Sequence, residues 1–264
     1  MREIGQDPSQ YRTAAELSVD TRQELSSRLA ERETMVLSLG RATDGPGTQF
    51  ALVHVPDHLD DFFIDERAFR PDERETLDYT AEGDDTLALG QEVQDMLEVY
   101  RSLPTFSETG FLNFALSTGL FSRALDLDAA QIGTAPTTVA SSFDFEFEPH
   151  PDRPTILHHN DGQIEIDALV MTRRNGERVL LVIEAMCGGR RDLAKHKLGY
   201  PALAAETSLS LDVDRVIPVY LRARPVKEGV RYSIYECSEI PTGEERPCLA
   251  KLHVVDDSHY EVRI

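Results

Sequence analysis

Apolar and polar positions alternate most tellingly between Gln163 and Pro201. Two runs rich in β-branched and apolar residues, Ile164 to Met171 and Val179 to Ile183, flank Arg174-Asn175-Gly176-Glu177. An Asn-Gly pair between such runs is a strong short-range hairpin signal, because both turn positions of a type I′ loop need a positive φ. With Asn175 and Gly176 as the loop, facing residues have numbers that sum to 351. Asp167 is then expected opposite Glu184, and Glu165 opposite Met186. Val179-Leu180-Leu181-Val182-Ile183 is apolar without alternation, which predicts a strand covered on both faces with Glu184 near its end.

The flanking patterns supply further elements. A helix is expected over about 12–31, introduced by Asp20 and Gln23 as a capping pair, and strands over Met35 to Leu39 and Gln49 to Val55. Residues 56–86 are dominated by Asp and Glu and read as a solvated connector. Helices follow over Leu87 to Leu103, stopped by Pro104, and over Ser107 to Leu125. Phe143 to Phe147 alternates as a strand, and His158 and His159 precede an expected turn at Asn160-Asp161-Gly162. After the hairpin come a helix over about 190–206, weakened by Pro201, a strand over Val216 to Leu221, and edge strands over Tyr232 to Glu236 and Leu249 to Val255.

From about residue 105 the order is helix, three strands, helix, strand, and the segment after Glu184 is long enough for a right-handed crossover. This predicts an α/β fold: a mixed-sheet core with flanking helices over 105–264, preceded by a smaller, acidic α+β region over 1–104.

Charge sharpens this division. The chain of 264 residues carries a net charge of −20. Residues 1–150 hold 11 arginines against 29 acids, a net of −18, whereas residues 151–264 are close to neutral and residues 173–197 carry a net of +4. Only four lysines occur, Lys195, Lys197, Lys227 and Lys251, beside 23 arginines and no tryptophan. Such a composition resembles that of proteins working in molar salt, where carboxylates keep the surface hydrated. Nothing resembles a signal peptide or an apolar span of membrane length, which leads to an expectation of a cytoplasmic protein without a membrane partner. Cys187, Cys237 and Cys248 are too scattered for a disulfide framework or zinc ribbon, and are expected to be reduced thiols.

Facing carboxylates destabilise a sheet unless something compensates them. A divalent cation with hard oxygen ligands would do so, making Asp167 and Glu184 candidate metal ligands. Glu165 is either a third ligand or a partner for Arg191 or Lys197.

The element order, with Asp167 on one hairpin strand and Ile183-Glu184-Ala185-Met186 at the end of the next, resembles the PD-(D/E)XK nuclease superfamily, the restriction-endonuclease-like fold. The resemblance covers about residues 105–221. It implies a Mg²⁺- or Mn²⁺-dependent deoxyribonuclease, with Asp167, Glu184 and the carbonyl of Ala185 as metal ligands. DNA is the implied partner, with room for a homodimer. Arg190, Arg191, Arg222 and Arg224 would hold flanking phosphates.

The departure is Met186, which stands where the family has its catalytic lysine. Migration of that lysine to the following helix is a known variation, and Lys197, with Lys195 second, is the candidate; both also fit as ordinary solvated residues. Glu108, at the start of the core helix, resembles an acid that some family members bring to the metal, and equally suits the positive end of the helix dipole. Tyr200 reads as core packing. The alternative function is a catalytically degenerate nuclease-fold protein that serves as a DNA-binding or assembly subunit.

Overall fold

The computed structural model describes residues 17–43, 45–69, 74–79, 95, 98–100, 102, 107–130, 132, 137–189, 192–208, 212–239 and 246–263. Most of the helix expected over Leu87 to Leu103 lies outside these residues. The described chain is mixed α/β, built on a sheet of nine strands.

The hairpin is the spine of that sheet. β6 (Leu157–Arg174) and β7 (Glu177–Cys187) pair antiparallel from Arg174 with Glu177 to Ala168 with Ile183, in the register whose numbers sum to 351. Asn175 and Gly176 have φ of 53° and 82°, as a type I′ turn needs. The carboxylate of Asp128 accepts hydrogen bonds from both of their backbone N–H groups, at 2.7 and 2.9 Å.

β7 is covered on both faces, as its unbroken apolar run predicts. Leu180 and Val182 enter a core with α4 (His196–Ser208), while Val179, Leu181, Ile183 and Ala185 enter a second core with α2 (Glu108–Ser117) and α3 (Leu120–Ala124). β9 (Arg215–Val226) returns parallel to β7, so α4 lies in the crossover between them. β5 (Thr137–Phe147) pairs antiparallel with the first half of β6.

Several expectations are corrected. The single helix over Ser107 to Leu125 is two, broken at Gly119, whose φ of 78° ends the first. The helix over 12–31 is reduced, among described residues, to a 3-10 turn at Arg22–Glu24 and the short α1 (Ser27–Glu31). α4 begins at His196 rather than 190, because β8 (Leu193–Ala194) first pairs with β3 (Phe63–Ile64). Pro201 thus lies in the middle of α4 rather than in its last turns. β10 (Gly229–Cys237) is not an edge: it lies between β9 and β11 (Val254–Arg263), the latter starting after a 3-10 turn at Leu249–Lys251.

Asn160-Asp161-Gly162 is not a turn but an irregularity within β6, at which the register against β5 shifts and Asp161 has a φ of 40°. His158 and His159 are accordingly strand residues. His159 is buried and stacks on Phe145, with ring centroids 4.6 Å apart.

The N-terminal segment contributes strands to the same sheet. β1 (Thr34–Arg41) pairs with β2 (Thr48–His54) and joins β6 through Gly40 and Asn160, and β4 (Glu75–Asp78) pairs with β11. Met35, Leu37, Phe62 and Val55 share one core with Phe145, Ile164 and Leu203. The Tyr200 hydroxyl donates to the Ser38 carbonyl at 2.9 Å, which makes Tyr200 a tie between α4 and β1.

Candidate functional site

The site forms where β7 outruns β6. The β6–β7 ladder ends at Ala168 and Ile183, and beyond it two carboxylates take over as acceptors for β7. Asp167 Oδ2 accepts from the Ala185 N–H at 2.8 Å, and Glu108 Oε1, from the first residue of α2, accepts from the Cys187 N–H at 2.7 Å. A bulge helps place Asp167. Between Leu169 and Ile166, which pair with Thr137 and Val139, β6 contains one residue more than β5 does. Bulges of this kind re-aim a side chain and end regular pairing.

Glu184, buried and next in line on β7, completes the carboxylates. Burial raises its pKa to about 8; the Lys197 ammonium opposes this and the neighbouring Asp167 carboxylate adds to it. Lys197 Nζ, reaching in from the first turn of α4, lies 3.4 Å from Glu184 Oε1. Burial works against its charge, but Glu184, Asp20 and Asp167 together raise its pKa. Glu108 is also raised, first by burial and then by Asp167, while its bond from Cys187 and the charges of Arg222 and Lys197 pull the other way. Three carboxylates and one ammonium thus share a field, and burial, with the Asp167 charge adding to it, shifts Glu184 and Glu108 toward their protonated forms.

The donors are hard oxygens, the ligand type a divalent cation takes, though among the described residues only His58, Asp61 and His150 bring three ligand atoms within 4.8 Å of one another. The three carboxylates come from three separate elements and are held by backbone N–H groups or by the lysine. Cys187 does not compete as a nucleophile, since burial, then Glu108, pushes its thiol up to about 11.

Other sequence candidates are placed differently. Lys195 precedes α4, and its Nζ donates to the Ala250 carbonyl at 2.7 Å, so it serves the β10–β11 side of the molecule. Glu165 is exposed and pairs with Ala140 across the β5–β6 ladder; it does not face Met186, because β6 and β7 have parted by then. Met186 sits beside Arg222 in the β7–β9 ladder and packs against an apolar cluster that includes Leu198, Tyr220 and Leu252.

Arg222 is buried and donates through Nε and Nη2 to Glu66 Oε1, at 2.9 and 2.6 Å, an oxygen that Tyr220 also bonds. That placement makes it a structural cation beside the site rather than an exposed phosphate contact. Arg224 is exposed, and with Arg74, Arg231 and Gly188 it lines a small basic cleft beyond the end of β7. Arg190 and Arg191 lie outside the described residues. A separate cavity of about 470 Å³ lies between Arg22, Asp60, Phe63, Arg67 and Asp192, where Arg22 is already paired with Asp60.

Two contributors had no motif to announce them. Asp20 acts on both Glu184 and Lys197, although it belongs to the segment read as a separate region. Glu66 holds Arg222 from a stretch read as connector. Apart from the capping role expected of Asp20, their only sequence signal is acidity, which the whole N-terminal half shares.

Comparison with curated proteins gives no match, and neither does comparison with solved structures. A family model described as a domain of unknown function, DUF6997, matches residues 78–239 and spans Glu108, Asp167, Glu184 and Lys197. That match covers more than half of the 264 residues, and the chain belongs to this family.

Proposed function

We propose that this protein is a metal-dependent DNA endonuclease of the PD-(D/E)XK type, its lysine supplied by α4. The observation that carries the reading is the Lys197 ammonium at 3.4 Å from Glu184, on the strand whose own lysine position is Met186. The order α2, α3, β5, β6, β7, β8, α4, β9, with β7 and β9 parallel, agrees with it.

Asp167, Glu184 and Glu108 are the residues that would hold Mg²⁺ or Mn²⁺. Such an ion, when bound, lowers the pKa of a coordinated water and neutralises the scissile phosphate. In holding such an ion Glu184 would release its proton to solvent, and Lys197 would stay charged to stabilise negative charge developing on the phosphate. Arg224, in the basic cleft, positions the neighbouring backbone without reading sequence.

Cleavage of supercoiled plasmid DNA by the purified chain, with Mg²⁺ or Mn²⁺ across a range of salt, tests the proposal. Nicked or linear product that disappears with chelator is expected. The acidic composition further predicts that cleavage is retained at high salt, where nonspecific phosphate attraction is screened.

A second reading is favoured by Met186 and by the locked Arg222: a nuclease-fold protein that binds DNA without cutting it. DNA retention that is independent of metal, with no product under any of these conditions, would establish that reading instead.

A further inference from the structure

A second cluster lies on another part of the molecule, where the 3-10 turn Leu59–Phe62 meets the end of β5. His58, Asp61 and His150 bring one ligand atom each to within 4.8 Å of one another. His58 Nδ1 and His150 Nε2 converge on a single oxygen, Asp61 Oδ2, at 3.1 and 3.2 Å. Ligands about 2.0–2.2 Å from a tetrahedral Zn²⁺ are separated by roughly 3.3–3.5 Å, so these two spacings are already close to the edges of a zinc tetrahedron.

The outer surroundings match as well. Asp152 Oδ2 lies 3.5 Å from His58 Nε2 and 3.9 Å from His150 Nδ1, on the ring nitrogens turned away from Asp61. One carboxylate thus faces the two ligating nitrogens and another faces their opposite sides, as in the carboxylate–histidine–metal arrangement that fixes ring orientation. His150 is buried beside Phe62 and forms the rigid wall, whereas His58 and Asp61 are about half exposed and leave a solvent-facing position.

We propose that His58, Asp61 and His150 form a Zn²⁺ site distinct from the Asp167 cluster, with Asp152 as the outer carboxylate. Two imidazoles and one carboxylate suit Zn²⁺ over Mg²⁺, and three protein ligands leave a fourth position for water. Binding moves the His150 proton to Nδ1. There it turns from accepting the Asp152 N–H, now at 3.1 Å, to donating to the Asp152 carboxylate. The ion clamps the 59–62 turn to the end of β5, and the Phe62 carbonyl at the end of that turn accepts the Lys195 N–H at the threshold of α4.

The test is zinc titration of the chelator-treated full chain against a competing chromophoric chelator, with thermal unfolding as a second readout. One equivalent of Zn²⁺ is expected to bind and to raise Tm, with Mg²⁺ unable to displace it. Asp152→Ala should weaken binding about 10–100-fold, and His58→Ala with Asp61→Asn should weaken it further; both positions are exposed enough to change without unfolding the chain. Asp167→Asn should leave this zinc affinity intact. Unchanged affinity in the double variant, loss in Asp167→Asn instead, or no zinc uptake by the unaltered chain would each overturn the site.

Discussion

Lys197 and Glu184 meet across the β7–α4 junction with 3.4 Å between ammonium and carboxylate, and both are set back from solvent. Met186, two residues further along β7 and on the same face, supplies no such charge and packs against the apolar cluster that includes Leu198 and Tyr220. Mutation of Lys197 should therefore be costly in a way that a lysine at position 186 does not repair. Lys197→Ala should lower the plasmid cleavage rate by about 100-fold or more, the range for removing one preorganised charge-stabilising group. Lys197→Ala combined with Met186→Lys should remain as slow, because the new ammonium would enter an apolar cluster. Recovery of the rate in the double variant would show that the charge had not migrated.

Glu184 gives the cluster a pH signature. Its pKa rises from 4.5 toward about 8 in the folded chain, first because burial disfavours the carboxylate. The contribution to stability is then complete below about pH 4.5 and is lost as pH rises through about 8. Without metal, Glu184→Gln should match the unaltered chain near pH 4.5 and become progressively more stable than it up to pH 8. Thermal unfolding of the pair in chelator measures this, and a difference that did not vary with pH would contradict the buried, proton-holding carboxyl.

Two glycines allow β1 to join the sheet. A Cβ on Gly162 would lie 2.2 Å from His159 Cε1 and 2.5 Å from Gly40 Cα, so Gly162→Ala must push the strands apart. The expected cost is about 1–3 kcal/mol, as for overpacking of a tight interior. Urea unfolding checks it, and an unperturbed midpoint would mean that the β1–β6 junction is looser than its geometry.

The hairpin was legible because local chemistry dictates it. Asn175 and Gly176 favour positive φ, the flanking residues alternate, and together they fix which residues face one another as far as Ala168 and Ile183. Asp167 and Glu184 came from extending that register, and Lys197 from what the nuclease resemblance implied once Met186 stood at the lysine position, with the scarcity of lysine in support. What could not be read depended on distant partners. The bulge at Asp167 exists because β5 and β7 demand different registers of β6. The delayed start of α4 reflects pairing of Leu193 and Ala194 with Phe63 and Ile64. Asn160-Asp161-Gly162 carries turn chemistry, yet lies inside a long strand because Gly40 approaches it from β1. Asp20 and Glu66 reach the site through tertiary packing of a segment whose acidity marks no single residue.

The most direct test of the proposed site is a Mg²⁺ titration of plasmid cleavage by the unaltered chain, Asp167→Asn and Lys197→Ala, read as midpoint and plateau. The unaltered chain should saturate, and Asp167→Asn should give no cleavage at any Mg²⁺ concentration. Lys197→Ala should keep its midpoint within a few-fold while its plateau falls by about 100-fold or more. Equal cleavage by all three proteins, or a Lys197→Ala plateau equal to that of the unaltered chain, would contradict the account.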